Sequence, residues 1–478
     1  MTSIDQILAN FEQISAIPRG TKNEAGIREW LINWTSLRGL LSKTDTIGNL
    51  VIYVPASVGH ENAPALILQG HLDMVCQKTP DSNHDFTRDP IYILRDGNWL
   101  KADKTTLGAD NGIAIAIAMA LIEDEKVSHP SLEILFTVEE EAGICGADYL
   151  DSNLLTAKIL VNLDSEEEGV FTIGCAGGGN TYITLPVSWS APSKNDVRFE
   201  LKVNGLQGGH SGGDIAKHRG NANKILARTL DEIQREIPIR LSTFKGGTAR
   251  NAIPRDAEAA FFCPKESAAR CNEMILPFES ILQAEFAGTE QGPFLSLSEK
   301  QILIADVISL ENTKKVIQLV VALPNGVAEM SAQVEGFVET SSNIGITELL
   351  EDGFHIISNQ RSSVFSRLEE ITRRTEAISA LAGAKTERTK MSPPWQPNAN
   401  SPLLKKCVEV YETLYDKKPK IEIVHGGLEC GIISDRCNGL DTISLGPTIE
   451  NPHSPDEMLY IPSLSSTWNF LTALLCSM

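Results

Sequence analysis

The chain has 478 residues, 42% of them hydrophobic, with 62 acidic against 42 basic side chains and a formal net charge of −20. At about 150 residues per domain this length predicts two or three domains, and an acidic balance with no block of Lys and Arg argues against nucleic acid or an anionic membrane as partner. Nine cysteines, scattered from Cys76 to Cys476 without a C-x-x-C pair, read as reduced thiols of a cytoplasmic protein, so no disulfide is expected.

Residues 1–17 place Ile4, Ile7, Leu8, Phe11 and Ile14 at helical spacing with polar residues between, which makes a helix and not a signal-peptide core. A second helix is predicted over 23–37, with Ile27, Trp30, Leu31 and Trp34 on one face and Gly39 ending it. Strands are expected at 48–54 and 63–70, the second running into Gly70-His71-Leu72-Asp73. Side chains alternate in extended chain, so His71 and Asp73 leave the strand end pointing the same way, at the end of the sheet where ligands bind in doubly wound folds. On their own they read first as a solvated turn. So do His84 and Asp85 in the polar, turn-rich stretch 74–106.

Leu107-Gly108-Ala109-Asp110-Asn111-Gly112 opens the segment 113–124, which is apolar nearly all round and therefore a buried helix. Its longest apolar run, 113–122, is too short to span a bilayer. Asp110 at its start reads first as a cap for free backbone N–H groups, and second as a metal ligand held on a rigid helix end. The strand predicted at 131–138 runs straight into Glu139-Glu140-Glu141-Ala142-Gly143, three carboxylates whose mutual repulsion a cation would relieve. Another strand, at 158–163, delivers Asp164. His71, Glu140 or Glu141, and Asp164 thus end three separate strands, with Asp110 beside them.

A regular alternation at Val197, Phe199, Leu201 and Val203 marks a change to a half-buried sheet, and the chain is divided on this basis into 1–185, 186–390 and 391–478. The middle region carries Gly208-Gly209-His210-Ser211-Gly212-Gly213 and Asn251-Ala252-Ile253-Pro254. Strands are expected there at 316–323, 334–341 and 354–361, then a helix at 364–381; recurring strand–helix–strand modules suggest an α+β, ferredoxin-like unit. The last region has strands at 421–424 and 441–446, the polar loop Glu450-Asn451-Pro452-His453-Ser454-Pro455-Asp456-Glu457 and a final helix.

Zinc takes imidazole and carboxylate ligands, and two ions about 3.5–4 Å apart need a bridging carboxylate with further ligands on each side. Asp110 can bridge, His71 and Asp164 can complete one set, and Glu141 with His453 the other. Glu140 is then left uncoordinated beside a ligand, as a general base requires.

Together these motifs resemble the co-catalytic dizinc family of peptidase T, carboxypeptidase G and carnosinases, from the first helix to the last. The stretches His71-Leu72-Asp73-Met74-Val75-Cys76-Gln77-Lys78, Arg361-Ser362-Ser363 and Gly427-Leu428-Glu429-Cys430-Gly431 are most similar to its bacterial branch acting on aminoacyl-histidine dipeptides. The resemblance implies an α/β fold: a zinc-peptidase-like catalytic domain with a central mixed sheet flanked by helices, interrupted by a lid used in closure and often in homodimer formation. It implies two Zn²⁺ per chain, with Co²⁺ or Mn²⁺ as substitutes, and hydrolysis of small peptides, Xaa-His dipeptides foremost. His71, Asp110, Glu141, Asp164 and His453 resemble the family's ligands, Glu140 its base and Asp73 the partner of the first histidine. His210 resembles the lid histidine that polarises the scissile carbonyl, and Arg361 and Asn251 resemble substrate-binding residues, Arg361 for the carboxylate. Asn111 and Glu139 depart from the acidic residue and the Asp of many relatives without removing a ligand. The 426–431 stretch lacks the Thr-Asp of the aminopeptidase branch, which argues against tripeptide cleavage. An N-acyl-amino-acid deacylase of the same fold, needing no site for a free amino group, or a tripeptide aminopeptidase of that fold is the alternative. An inactive scaffold relative would have lost a ligand or the base, and none is missing.

Overall fold

In the computed structural model, which describes residues 2–292, 294–301 and 306–478, the chain passes from one unit into a second and returns. The first unit holds Met1–Cys175, Trp395–Ile423 and Leu428–Met478, the second Ala176–Pro394 and Val424–Gly427. Residues 176–185, grouped with the first region on sequence, contribute the strand Gly177–Leu185, which pairs with Gly353–Ser362 in the second unit's sheet. Its opening run of glycines hides the alternation that would have marked it.

The first unit is built on an eight-stranded sheet in the order Leu41–Thr44, Leu50–Val54, Leu132–Thr137, Leu66–His71, Ile159–Asn162, Asp441–Ser444, Val170–Cys175, Lys420–Val424. Leu66–His71 pairs parallel with both neighbours, and Asp441–Ser444 pairs parallel with Ile159–Asn162. Leu50–Val54 joins antiparallel, so the sheet is mixed. Every residue of Leu66–His71 and Leu132–Thr137 is buried, the mark of strands covered on both faces. The register opposes His71 to Thr137 and Gln69 to Asn162, which brings three carboxyl ends level.

Helix Ala109–Glu123 is buried continuously from Asn111 to Leu121 and packs on the first helix, Ser3–Ser15. A Cβ at Gly70 would lie 2.3 Å from Asn111 Oδ1 and 2.8 Å from Ala114 Cβ, so only glycine lets the helix start rest on the strand end. A small sheet, Ile449–Glu450, Met458–Tyr460, Trp99–Ala102 and Ile93–Asp96, holds the base of the hairpin whose tip carries His453.

The second unit contains a sheet running Phe294–Lys300, Asp196–Asn204, Ala257–Pro264, Arg240–Gly246, Val338–Leu350, Gly353–Ser362, Gly177–Leu185, Lys385–Arg388, with Gly326–Met330 beside Val338–Leu350. Helices Ala222–Glu236, Ala268–Glu285 and Leu310–Ala322 send apolar residues into its core. The strand expected at 316–323 is instead the end of the helix Leu310–Ala322. Ser309 caps that helix by accepting the Asn312 N–H at 3.1 Å. Val316, Ile317 and Val320 are fully buried while Val321 is 40% exposed, a period of three to four and not two. The strand expected at 334–341 starts at Val338 and runs on to Leu350. Among the described residues no helix is long and apolar enough to cross a membrane, and all nine cysteines are free thiols.

Candidate metal centre

His71 closes its strand and is 1% exposed. Its Nδ1 lies 3.3 Å from Asp73 Oδ1. The Asp73 carboxylate also accepts the N–H groups of Glu140 (3.0 Å) and Glu141 (3.2 Å) and the Thr21 hydroxyl (2.9 Å). One buried carboxylate therefore orients the imidazole and pins the turn that presents the two glutamates. With Asp73 facing Nδ1, the proton of the neutral ring belongs there and Nε2 is left as a ligand atom. Asn111 ties the helix start to two strand ends, accepting from His71 N (3.1 Å) and donating to Leu163 O (2.8 Å).

The structure brings His71, Asp110, Glu141, Asp164 and His453 together. His71 Nε2 is 3.1 Å from Asp110 Oδ1 and 3.4 Å from Asp164 Oδ1. His453 Nε2 is 3.0 Å from Asp110 Oδ2 and 3.2 Å from Glu141 Oε2. Asp110 thus turns one oxygen to each imidazole. Ligand atoms of His71, Asp110 and Glu141 all lie within 4.8 Å of one another, and the buried Oε1 of Glu141 has no hydrogen-bond partner. Among the described residues no Lys or Arg pairs with any of these three carboxylates. Hard oxygen donors and imidazoles converging without an organic cation fit a divalent metal site.

The electrostatics agree. Burial opposes charge on His71, but Asp164, Asp110 and Asp73 outweigh it and raise its pKa well above the ordinary value. Hydrogen bonds to Asp110 and Glu141 push His453 up to about 11. Burial would raise Asp110, yet the two imidazoles hold it well below the usual carboxylate range. A field that draws protons so strongly to these rings also draws a divalent cation. The Glu140 carboxyl has no partner among the described residues; burial pushes its pKa well up, with Asp164, Glu429 and Glu141 adding and His71 opposing.

Asp110 does not cap the helix it begins. Gly108 holds the cap position, and the N–H groups of Leu107, Gly108, Ala109 and Asp110 all donate to the Glu457 carboxylate, at 2.8, 2.9, 2.8 and 3.2 Å. That distant cap frees both oxygens of Asp110 for the imidazoles. Sequence reading missed Glu457, which stands among polar loop residues. It also missed Arg19, a 2%-exposed guanidinium that donates to the carbonyls of Leu72 (3.0 Å), Asp73 (2.8 Å) and Gly108. It missed Glu429 as well, 1% exposed, which accepts from Gln69 Nε2 (2.7 Å) and Thr137 Oγ1 (2.6 Å) and so ties two ligand-bearing strands. The Glu166 carboxyl has no partner among the described residues, and burial, then Asp110 and Asp164, push its pKa to about 8.

His210, Asn251 and Arg361 belong to the second unit. There Gly209–His210 pairs antiparallel with Ala252–Ile253, and Ser211 N donates to Asn251 O at 2.8 Å, so the two glycine- and asparagine-containing motifs form one ribbon. His210 Nδ1 accepts the N–H groups of Gly212 (3.3 Å) and Gly213 (3.1 Å), which puts the proton of the neutral ring on Nε2. Burial, with Arg361 adding, lowers its pKa, so the ring is a neutral donor at neutral pH. Arg361 donates through Nε to Asn359 Oδ1 at 3.0 Å and pairs with no carboxylate among the described residues.

A sequence profile of Peptidase family M20/M25/M40 matches residues 67–477. The chain is 42% identical over 469 residues to the cytosol non-specific dipeptidase of Escherichia coli (strain K12), covering 97% of this chain and 96% of that one. The solved structure of aminoacylhistidine dipeptidase from Vibrio alginolyticus matches with a TM-score of 0.93 at 37% identity, over 99% of this chain and 96% of that one. Aminopeptidase PepT from Bacillus cereus ATCC 10987 matches with a TM-score of 0.57 at 16% identity, over 99% and 98% of the two chains, a likeness of fold alone.

Proposed function

The chain belongs to peptidase family M20/M25/M40 and is a metallo-dipeptidase of that family; we propose that it holds two zinc ions and cleaves dipeptides with a free amino terminus, Xaa-His peptides among them. The observation that carries the two-metal reading is Asp110, with one oxygen turned to each imidazole. His71 and Asp164 would complete one ion's ligands, Glu141 and His453 the other's. Bound there, the ions would polarise the scissile carbonyl and lower the pKa of the attacking water toward about 7. Glu140, without a partner among the described residues and next to ligand Glu141, takes the proton of that water and returns it to the leaving amine. Asp73 keeps His71 in its tautomer. His210 offers its Nε2–H to the oxygen on which charge develops. Arg361 offers a planar fork to the substrate carboxylate, with Asn251 as a further contact.

The names of the relatives, non-specific in Escherichia coli and aminoacylhistidine in Vibrio alginolyticus, support a dipeptidase broad at the amino-terminal position that accepts histidine after the scissile bond. We also assign the second unit to closure over substrate and to homodimer formation. A cytosolic location is in line with the Escherichia coli relative's name and with nine free thiols. Co²⁺ or Mn²⁺ would substitute for zinc. Histidine release from alanyl-histidine and β-alanyl-histidine, set against acetylated amino acids, tests the substrate class. Activity on the dipeptides should vanish with chelator and return with zinc, and metal analysis should find about two equivalents in the wild type and fewer in Asp110→Ala. Faster release from acetylated amino acids would make the protein a deacylase, and a single zinc at saturation would remove Asp110 as a bridge.

A further inference from the structure

We propose that Asp214 is a positioning residue for His210, closing the loop that locks its imidazole in the tautomer able to donate to the substrate. This rests on the reading of His210 as the donor to the developing charge and adds the group that makes it one. His210 is exposed, and an exposed histidine ordinarily turns freely and shares its proton between both ring nitrogens. Here the ring lies back on its own loop, and the N–H groups of Gly212 and Gly213 point at Nδ1 from 3.3 and 3.1 Å. Gly212 makes room for this, since a Cβ there would stand 3.0 Å from Cε1 of the ring and 2.3 Å from His425 O.

The glycines themselves do not fix that arrangement. A Gly-Gly segment is highly pliable backbone, and its two N–H groups stay aimed at Nδ1 only while the chain from 210 to 214 is held closed. Asp214 holds it through both its backbone and its side chain. Its N–H donates to His210 O (3.0 Å) and its Oδ2 accepts the His210 N–H (2.8 Å), a reciprocal pair that clamps the two ends of the loop. The carboxylate is fixed in turn from outside. Lys217 Nζ meets Oδ1 at 2.7 Å and Arg219 Nη1 meets Oδ2 at 3.4 Å, while Arg219 also donates to Gly208 O. Gly209 belongs to the same device: its φ is +144°, and a Cβ there would lie 2.3 Å from Arg219 Nη1 and 2.5 Å from Asp214 Oδ2. Without the Asp214 carboxylate the loop opens, the glycine N–H groups turn to water, and Nδ1 is free to take the proton. The Nε2 of that tautomer is a lone pair, which repels the oxyanion it should stabilise.

The test uses the zinc-loaded enzyme with alanyl-histidine as substrate, and the same protein with its histidines labelled with ¹⁵N. In Asp214→Ala kcat should fall about 10- to 100-fold, short of the roughly 10²- to 10³-fold loss for removing the donor itself in His210→Ala, with KM within about threefold and zinc content unchanged. The ring ¹⁵N signals of His210, identified by their absence from His210→Ala, should show a bare Nδ1 and a protonated Nε2 in the wild type and a mixture of tautomers in Asp214→Ala. Asp214→Asn keeps an oxygen for the His210 N–H, so it should recover most of kcat and the single tautomer, which a role through charge alone would not. Asp214→Ala added to His210→Ala should cost nothing further, because both changes remove one function. Asp214→Ser, whose oxygen stands on a shorter arm, replaces Asp214→Ala should that variant not fold. An unchanged kcat or an unchanged tautomer in Asp214→Ala overturns the proposal. So does a kcat loss that adds in full to that of His210→Ala, which would make Asp214 a support for the fold and not for the ring. Wild-type kcat in His210→Ala would sink the reading of His210 as donor instead, while the ¹⁵N signals still decide whether Asp214 sets its tautomer.

Discussion

Glu140 and Glu141 are adjacent in sequence and separate in task because Asp73 holds both of their N–H groups, fixing a turn from which the two side chains diverge. Glu141 Oε2 meets His453 at 3.2 Å, whereas the Glu140 carboxyl meets nothing among the described residues. Glu140→Gln keeps shape and hydrogen-bonding capacity and removes basicity. It should retain zinc and substrate binding while kcat falls by about 10²–10⁴, the usual contribution of a positioned base. Metal analysis, substrate binding and steady-state kinetics on one preparation check this; a kcat within about tenfold of wild type would take the proton-transfer role from Glu140. At this scale the sequence was legible where a short apolar run ended in His or an acid, since each such ending names a strand end and a chemical group at once. It could not tell whether Asp110 served the helix or the site, because the answer lies in a carboxylate 347 residues further on.

That carboxylate, Glu457, makes the start of helix Ala109–Glu123 dependent on the hairpin behind it. Removing it leaves four N–H groups without an acceptor in a place that is 2% exposed. Glu457→Ala should lower the free energy of unfolding of the metal-free protein by about 2–4 kcal/mol, the scale of buried donors left unmet. It should also weaken zinc binding, since Asp110 rides on the same turn. Urea unfolding and a zinc titration test the two effects together, and a variant that lost stability with zinc affinity intact would separate the helix start from the site. Periodicity reported the helices and the central strands well, from Ile7, Phe11 and Ile14 to the apolar run before His71. It misread 316–323, where five apolar residues in a row, Leu319 to Leu323, satisfy either period and only the Ser309 cap upstream decides. The tasks of Arg19 and of Glu429, whose stretch served only for the family resemblance, were not legible because the groups they join, the carbonyls of Leu72, Asp73 and Gly108 for one and Gln69 and Thr137 for the other, lie far off in the chain.

For the molecule as a whole, acid should unfold it by way of the second unit as well as the first. His425 is 9% exposed, with Nε2 2.7 Å from Ser341 Oγ, and burial, then Arg361 and His210, hold its pKa near 3 against an ordinary 6.5. A histidine depressed in this way contributes stability that is present above pH 6.5 and lost as pH falls toward 3, by up to roughly 1.4 kcal/mol per pH unit. His425→Asn should therefore flatten the fall in unfolding free energy between about pH 6.5 and 4 relative to wild type; parallel curves would acquit His425. The division of the first unit into chain segments on either side of the second has a different consequence, for the order of manufacture. Asp441–Ser444 is an interior strand, lying between Ile159–Asn162 and Val170–Cys175, and His453 comes later still. Roughly 290 residues separate Asp164 from His453, so a ribosome adding about 5–20 residues per second takes some 15–60 s to supply the last ligand. Throughout that interval the nascent sheet carries an open seam between two buried strands, where a foreign strand can pair. Emergence of residues 441–453 is therefore the moment at which the growing chain can first close this seam and assemble all five ligands.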